Sequence, residues 1–498
     1  MNKQRIKAWA LYFTVAALAP LFAIAQAPKV SMSDFFGVNM FGGVDDPADI
    51  RKTGNWVRDY SQWNWLEPEK DSFLFTRARN KVNYDAYYKR LDSLGIHSLF
   101  VVQQTPPWIS AGKNTAHPEN FAPSGTANGL HATDYREAAR FYYQLAARYG
   151  SRKLGAAHLR TADKRSGLAL MDAIEVYNEP DGTWGNQMTA AQYAALLNAV
   201  YDGDRGRLSG DYGIKAADPH LRVSIGGMAY NLPSLKKVVA AAGRAPFDVI
   251  NVHFYTFRYA RENFRVAVPP EWSSLRADMS DIVQWGRKAA PGRPVWLTEI
   301  GFDTKPYSSE YVSEQDAANY LIRSYLLALG SGVEKCFWFI FKDLDNIPKP
   351  IVFSSSGLFA NDSTPYQGDT RLKPKLTYWY NGTFRQLTEG LIFDPALQVP
   401  TGDSTIYRFD FTDSSGVRKL SVLWYCPGYA YDWKPLATAP ASKRFSYSLT
   451  RGQKIYRMVR PCAGSFGGEE EPVPSGHEAV SLELNGRPLF VGLSGSGE

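Results

Sequence analysis

The chain has 498 residues, 44% hydrophobic and 21% charged, which excludes wholesale disorder and exceeds one average domain. Its formal net charge of +7 falls to +4 once the three basic residues of an N-terminal segment are set aside, and no basic run carries interleaved aromatics, so nucleic acid is not an expected partner. Three cysteines without CxxC or clustered His/Cys spacing argue against zinc, and no metal or other cofactor is expected.

The first element is a signal peptide over residues 1–27. Lys3, Arg5 and Lys7 precede the apolar run "AWALYFTVAALAPLFAI", and "AIAQA" offers cleavage after Ala25 or Ala27. Pro20 and the small residues favour removal over a retained anchor, so the mature protein is expected to be secreted or periplasmic and free of the membrane.

From residue 35 to about 341, apolar runs alternate with amphipathic segments. The runs are "FFGVN" (35–39), "NWVRDY" (55–60), "HSLFVVQQ" (97–104), "AIEVYN" (173–178), "RVSIGG" (222–227), "FDVINVHFY" (247–255), "PVWLTEI" (294–300) and "KCFWFIF" (335–341). Continuous apolar strands fit a parallel sheet covered on both faces. The intervening segments 84–95, 135–150, 189–203 and 313–330 have helical periodicity, and the last two open on Thr189 and Ser313 as N-caps. Eight such strands with helical crossovers predict a (β/α)8 TIM barrel over 28–384. A doubly wound sheet would want a GxGxxG turn, and "NMFGGVDD" has none.

After about residue 385, short β-rich runs separated by turn signals predict a C-terminal β-sandwich over 385–498. "GSFGGEEEPVPSG" (464–476) reads as a loop between two of its strands, with Glu469–Glu471 on the solvated surface. Cys336 reads as a buried thiol; Cys426 and Cys462 could bridge or stay free.

Two carboxylates fall at the C-terminal ends of predicted barrel strands, where barrels bind their ligands: Glu179 in "YNEP" after the fourth and Glu299 in "LTEI" on the seventh. Two carboxyl groups at one mouth suit glycoside hydrolysis, in which one is protonated and the other ionised. "YNEP" and "TEIG" resemble the acid/base and nucleophile signatures of the clan-A retaining glycoside hydrolases, similar to families 39, 30 or 5. The resemblance covers most of 35–341 in strand order. It implies Glu179 as acid/base, Glu299 as nucleophile, Asn178 as a hydrogen-bonding partner of the sugar 2-hydroxyl, and a carboxyl separation of about 5–5.5 Å.

It further implies an arginine near the nucleophile, which Arg58 could supply unless it forms a structural ion pair with Asp59 or another acid. His253 and Tyr255, in "NVHFY", are candidates for the sixth strand's contribution, with the choice resting on register. Trp338 would floor a sugar subsite or pack in the core. Trp108 and Trp184 read as loop platforms, and Trp63 and Trp65 as platforms or loop packing. Gln103 and Gln104 stand where several clan families carry histidine. The expected partner is an oligo- or polysaccharide of β-linked glucan or xylan type. The competing readings are a transglycosylase on the same scaffold and a non-catalytic carbohydrate-binding barrel.

Overall fold

The computed structural model describes residues 28–43, 45–110, 127–182, 188–229, 231–261, 264–344, 349–361, 372–429, 433, 439–476 and 478–495; the expected signal peptide and Trp184 lie outside them. All eight barrel strands form where the apolar runs lie: Phe36–Phe41, Trp56–Gln62, His97–Gln103, Ala173–Val176, Arg222–Ile225, Ile250–His253, Val295–Ile300 and Lys335–Trp338. They pair in parallel, each with its neighbour in sequence, and the eighth pairs back onto the first through Phe337 and Gly37. Parallel bridges Ser224–Val249 and Met228–Val252 join the fifth and sixth strands and complete the ring.

A helix follows every strand. The set is Pro47–Thr53, Tyr84–Ser93, Arg136–Tyr149, Ala190–Asp202, Asn231–Ala242, Leu275–Ala289, Glu314–Gly330 and Leu376–Thr388. Thr189 caps its helix in a capping box with Gln192, and Ser313 accepts the backbone N–H of Asp316, as their sequence positions predict. Among the described residues no helix is long and apolar enough to cross a membrane.

Side-chain alternation stacks the barrel interior in layers. The bottom layer is apolar: Trp56, Leu99, Ala173, Val249, Trp296 and Phe337 form one buried cluster. Gly37 belongs to this layer because a Cβ there would lie 2.3 Å from the Phe337 ring. Two residues further along the same strands stand Asn39, Arg58, Glu175, Asn251 and Thr298, a buried polar layer on an apolar plug. The functional candidates sit above it.

The C-terminal region is a sandwich. One sheet has seven strands, in the order Val30–Ser31, Ile392–Phe393, Ile406–Thr412, Arg418–Tyr425, Leu489–Ser494, Lys454–Cys462 and Ser465–Glu471. Lys443–Ser448 pairs antiparallel with Ala479–Leu484, and these two strands enclose a core of Leu423, Tyr447, Met458, Leu482 and Val491 with the larger sheet. The helix Leu376–Thr388 runs across the expected boundary at 384/385, and Val30–Ser31 joins the second sheet rather than the barrel.

One expectation is corrected and one open alternative is decided. Ser465–Glu471 is an edge strand, not a loop: it pairs with Lys454–Cys462, and Glu469, Glu470 and Glu471 pair with Arg487, Arg457 and Arg460. Cross-strand ion pairing stabilises a segment whose glycines and acids have little strand propensity. Cys426 and Cys462 are both free, because Leu489–Ser494 lies between their strands in the sheet.

Candidate functional site

The fourth strand ends at Val176, and the chain leaves it through two residues in the left-handed region, Tyr177 at φ +70° and Glu179 at φ +46°. A non-glycine residue there is strained by about 1–3 kcal/mol, and such residues cluster at functional sites. The turn is held by the N–H of Glu179 donating to Gly227 O at 3.1 Å and that of Gly182 donating to Glu179 O at 2.9 Å. Pro180 therefore follows a turn that has already left the strand.

The seventh strand uses another device. Trp296 faces the bottom layer and Thr298 the polar layer, so strict alternation would turn Glu299 outward. The pairing register shifts between Leu297 and Glu299, and this irregularity aims Glu299 into the barrel as well. An oxygen of Glu179 and an oxygen of Glu299 come within 4.8 Å of each other, with a His253 ring nitrogen equally close. Among the described residues these three form a group close enough to share an ion, but their facing atoms are engaged in the hydrogen bonds described next.

Arg58 is completely buried and organises the network. Its Nε and Nη2 form a fork on Glu175 at 2.7 and 2.6 Å. Nη2 also donates to Asn178 Oδ1 at 2.7 Å, and Nη1 to Glu299 Oε1 at 2.8 Å. Burial opposes the guanidinium charge, but Glu175, Tyr60 and Glu299 together outweigh it, so the pKa of Arg58 lies well above its ordinary value. Tyr60 OH also donates to Glu299 Oε1, and Tyr255 OH donates to Oε2 at 2.8 Å. Burial, with the Glu299 charge adding, holds both phenols well above their usual range, so they act as donors.

His253 lies between the carboxylates. Nδ1 is 2.8 Å from Glu179 Oε1, and Nε2 is 3.1 Å from Thr298 Oγ1 and 3.4 Å from Glu299 Oε1. Burial lowers its pKa to about 4, with Glu299 opposing and Arg58 reinforcing the shift, so the ring is neutral near pH 7. The fifth strand makes room for it: a Cβ on Gly227 would lie 1.9 Å from Nε2, so only glycine fits. Gly227 N–H also donates to Glu175 Oε1 at 3.0 Å.

Of the residues expected at the site, Glu179, Glu299, Asn178, Arg58, His253 and Tyr255 converge. His253 and Tyr255 are two apart, share parity, and both point inward. The structural partner of Arg58 is Glu175, not Asp59, which instead accepts from Tyr88 OH at 2.8 Å and Gly43 N–H at 3.1 Å.

Trp338 is a correction. It is 0% exposed, packs against Phe302 at 6.2 Å, and donates from Nε1 to Ser356 O at 2.8 Å. Phe337 points into the barrel, so Trp338 points out and Phe339 points in again. Phe339 makes edge contacts at 6.5 Å with both Tyr60 and Tyr255, the position expected of Trp338.

Trp108 is held by the loop after the second strand. It packs edge-on against Trp63 at 6.0 Å and donates to Glu67 O at 3.2 Å. Trp63 is buried, and Trp65 packs on the core beside Gly42. Gln104 accepts from Asn64 Nδ2 at 3.1 Å. The sequence reading missed Glu175, Tyr60 and Thr298. Tyr60 lies two residues after Arg58, and Thr298 directly precedes Glu299.

No family description matches the chain, and no curated protein does. Solved structures do. A family 39 glycoside hydrolase from the gut symbiont Bacteroides cellulosilyticus WH2 matches at TM-score 0.63 and 16% identity, over 94% of this chain and 83% of that one. A monomeric β-xylosidase from Caulobacter crescentus CB15 matches at 0.58 and 18%, over 95% and 98%. A family 30 endoxylanase from Clostridium papyrosolvens C71 matches at 0.53 and 12%, again over 95% and 98%. The chain shares the fold of these hydrolases. Barrel and sandwich both belong to the likeness, since nearly the whole chain is covered.

Proposed function

We propose that the protein is an exported, retaining β-glycoside hydrolase that acts on β-linked glycans of xylan or glucan type by double displacement. The observation that carries this reading is the approach of a Glu179 oxygen to within 4.8 Å of a Glu299 oxygen, one carboxyl beside a neutral imidazole and the other on a guanidinium and two phenols. Retaining pairs stand about 5–5.5 Å apart, whereas inverting pairs need roughly 6.5–9.5 Å to admit water. The substrate class is supported by fold neighbours described as a xylosidase, an endoxylanase and an endo-β1,6-glucanase.

Glu299 is the nucleophile in this reading. Arg58, Tyr60 and Tyr255 stabilise its carboxylate form; Oε1 is bound by two of them and Oε2 by Tyr255 alone, which leaves Oε2 to attack the anomeric carbon. Glu179 protonates the departing oxygen as the C–O bond breaks. A glycosyl ester of Glu299 remains. Glu179, now ionised, takes a proton from water, whose oxygen attacks the same carbon and releases Glu299.

The hydrogen-bond network sets the starting protonation. Thr298 Oγ1 donates to Asn251 Oδ1, so it accepts from His253 Nε2–H. The neutral ring then offers a bare Nδ1 to Glu179, which must supply the shared proton, as an acid does. Asn178 commits Oδ1 to Arg58 and keeps its amide N–H groups for the sugar 2-hydroxyl.

The test uses activated aryl β-glycosides. Glu179→Ala should lose about 10²–10⁴ in turnover on poor leaving groups. With an activated leaving group, azide should restore turnover and yield the β-glycosyl azide. An inverted product by NMR, or no azide adduct, refutes the assignment. Products appearing only with an added sugar acceptor would identify a transglycosylase.

A further inference from the structure

We propose that the hairpin after the sixth strand is a stacking platform for sugars beyond the one being cleaved. The substrate is then a neutral chain of several sugars, and the C-terminal domain holds the platform in place. This rests on the glycosidase reading for the identity of the ligand.

The hairpin pairs Phe257–Arg261 with Phe264–Ala267 and begins two residues after Tyr255. Phe257 and Tyr259 are spaced by two on one strand, so their side chains share one side, and Tyr255 joins them across a tight turn in which the Phe257 N–H donates to Tyr255 O at 2.9 Å. Tyr255 holds Glu299, Phe257 stacks on Tyr255 at 5.9 Å and 11°, and Tyr259 is 65% exposed. Phe353, from the loop after the eighth strand, lies 4.3 Å from Tyr255 and 6.1 Å from Phe257. A lone exposed tyrosine needs no explanation. A set of aromatics that begins at Tyr255, on Glu299, and continues through Phe257 to the exposed Tyr259 does, because it extends the aromatic surface beyond the carboxylates.

Among the described side chains, the charge beside the rings is balanced. The Arg265 guanidinium lies 5.0 Å from the Phe257 ring and is paired with Glu310 at 3.0 Å. Apolar C–H faces of uncharged sugars suit such a surface better than uronates or sulfated sugars do.

The opposite side of the hairpin is propped from the C-terminal region. Trp433 Nε1 donates to Tyr259 O at 3.0 Å, and the Arg258 guanidinium lies 5.6 Å from the Trp433 ring. Trp433 stacks on Tyr429 at 4.7 Å, and Tyr429 packs on Trp272 of the barrel at 5.2 Å. Trp272 Nε1 donates to Pro427 O at 2.9 Å. Trp433 is thus a positioning residue: it supports the strand that carries the stacking rings from behind.

The experiment measures kcat/KM on xylo-, cello-, β-1,3- and β-1,6-gluco-oligosaccharides of two to six sugars, alongside an aryl monoglycoside. The parent should gain activity with chain length on one series. In Phe257→Ala and Tyr259→Ala, the hexasaccharide-to-monoglycoside ratio should fall by about ten-fold. Trp433→Ala should lower the same ratio, and Trp433→Phe should restore part of it. A parent indifferent to length, or variants that scale every substrate equally, overturns the proposal. Calorimetry on Glu299→Gln separates it from the catalytic reading. Length-dependent binding that Tyr259→Ala abolishes, in a parent that cleaves nothing, would sink the hydrolase and keep the platform. Length-independent binding sinks the platform.

Discussion

Two buried guanidinium–carboxylate forks sit in different places and do different things. At the junction of barrel and sandwich, Arg323 meets Glu271 through Nε at 2.8 Å and through Nη2, and Trp424 Nε1 donates to the same carboxylate at 2.7 Å. At the barrel mouth, Arg58 meets Glu175 in a similar fork but also faces Glu299. The junction pair balances one cation with one anion. The mouth sets one cation against two anions, and phenols supply the remaining donors. A balanced buried pair is structural. At the mouth one guanidinium is shared between two carboxylates, an arrangement that suits the nucleophile role proposed for Glu299.

The comparison breaks most sharply at Arg58. Arg58→Met should lower kcat/KM on an aryl glycoside by about 10²–10³, as loss of an electrostatic stabiliser does. It should also lower stability by about 3–5 kcal/mol, since two carboxylates are left buried. Retained activity would mean that the phenols alone keep Glu299 ionised. Arg323→Met should lose stability on the same scale, read by urea denaturation, while kcat on the aryl monoglycoside stays within about two-fold. The double variant Arg323→Met/Glu271→Gln should regain most of that stability, because no uncompensated charge remains.

A third test sharpens the view of charge beneath the mouth. Burial raises the Asp59 carboxyl from 3.8 to about 7. An acid whose folded pKa is raised loses its stabilising contribution as pH rises, here between about 4 and 7 and by up to about 4 kcal/mol. His253, lowered from 6.5 to about 4 by burial, acts with the opposite sign, because the unfolded chain takes up a proton first as pH falls. The two trends offset each other in the parent. Asp59→Asn removes the contribution of this carboxyl and leaves the other groups as they are, so its melting temperature should climb relative to the parent from pH 4.5 to 6.5; a constant difference would show Asp59 to be ionised in the fold. The smallest effect concerns Trp338. Trp338→Phe should cost about 1 kcal/mol for the lost bond to Ser356 and leave KM unchanged; a raised KM would return that ring to the cleft.

Much of the architecture was readable from local pattern. Strand and helix alternation showed in the apolar runs, and "YNEP" and "TEIG" pointed to the two carboxylates. Parity along a strand could also have found more. Tyr60 follows from Arg58 by a step of two, and the same step from the inward Phe337 reaches Phe339 and passes over Trp338. The strand Ser465–Glu471 was illegible for another reason: its stability comes from arginines on neighbouring segments, not from its own composition.

By itself the amino-acid order determined which segments become strands and which carry carboxylates, because periodicity and turn residues act over a few positions. Only the closed barrel decided that Arg58 would serve Glu175 and Glu299 together, that a register shift would turn Glu299 inward, and that Gly227 would yield its space to His253. Those outcomes depend on groups far apart in the chain meeting in a small volume of low polarity, where the partner each one meets, not its identity, sets its charge and direction.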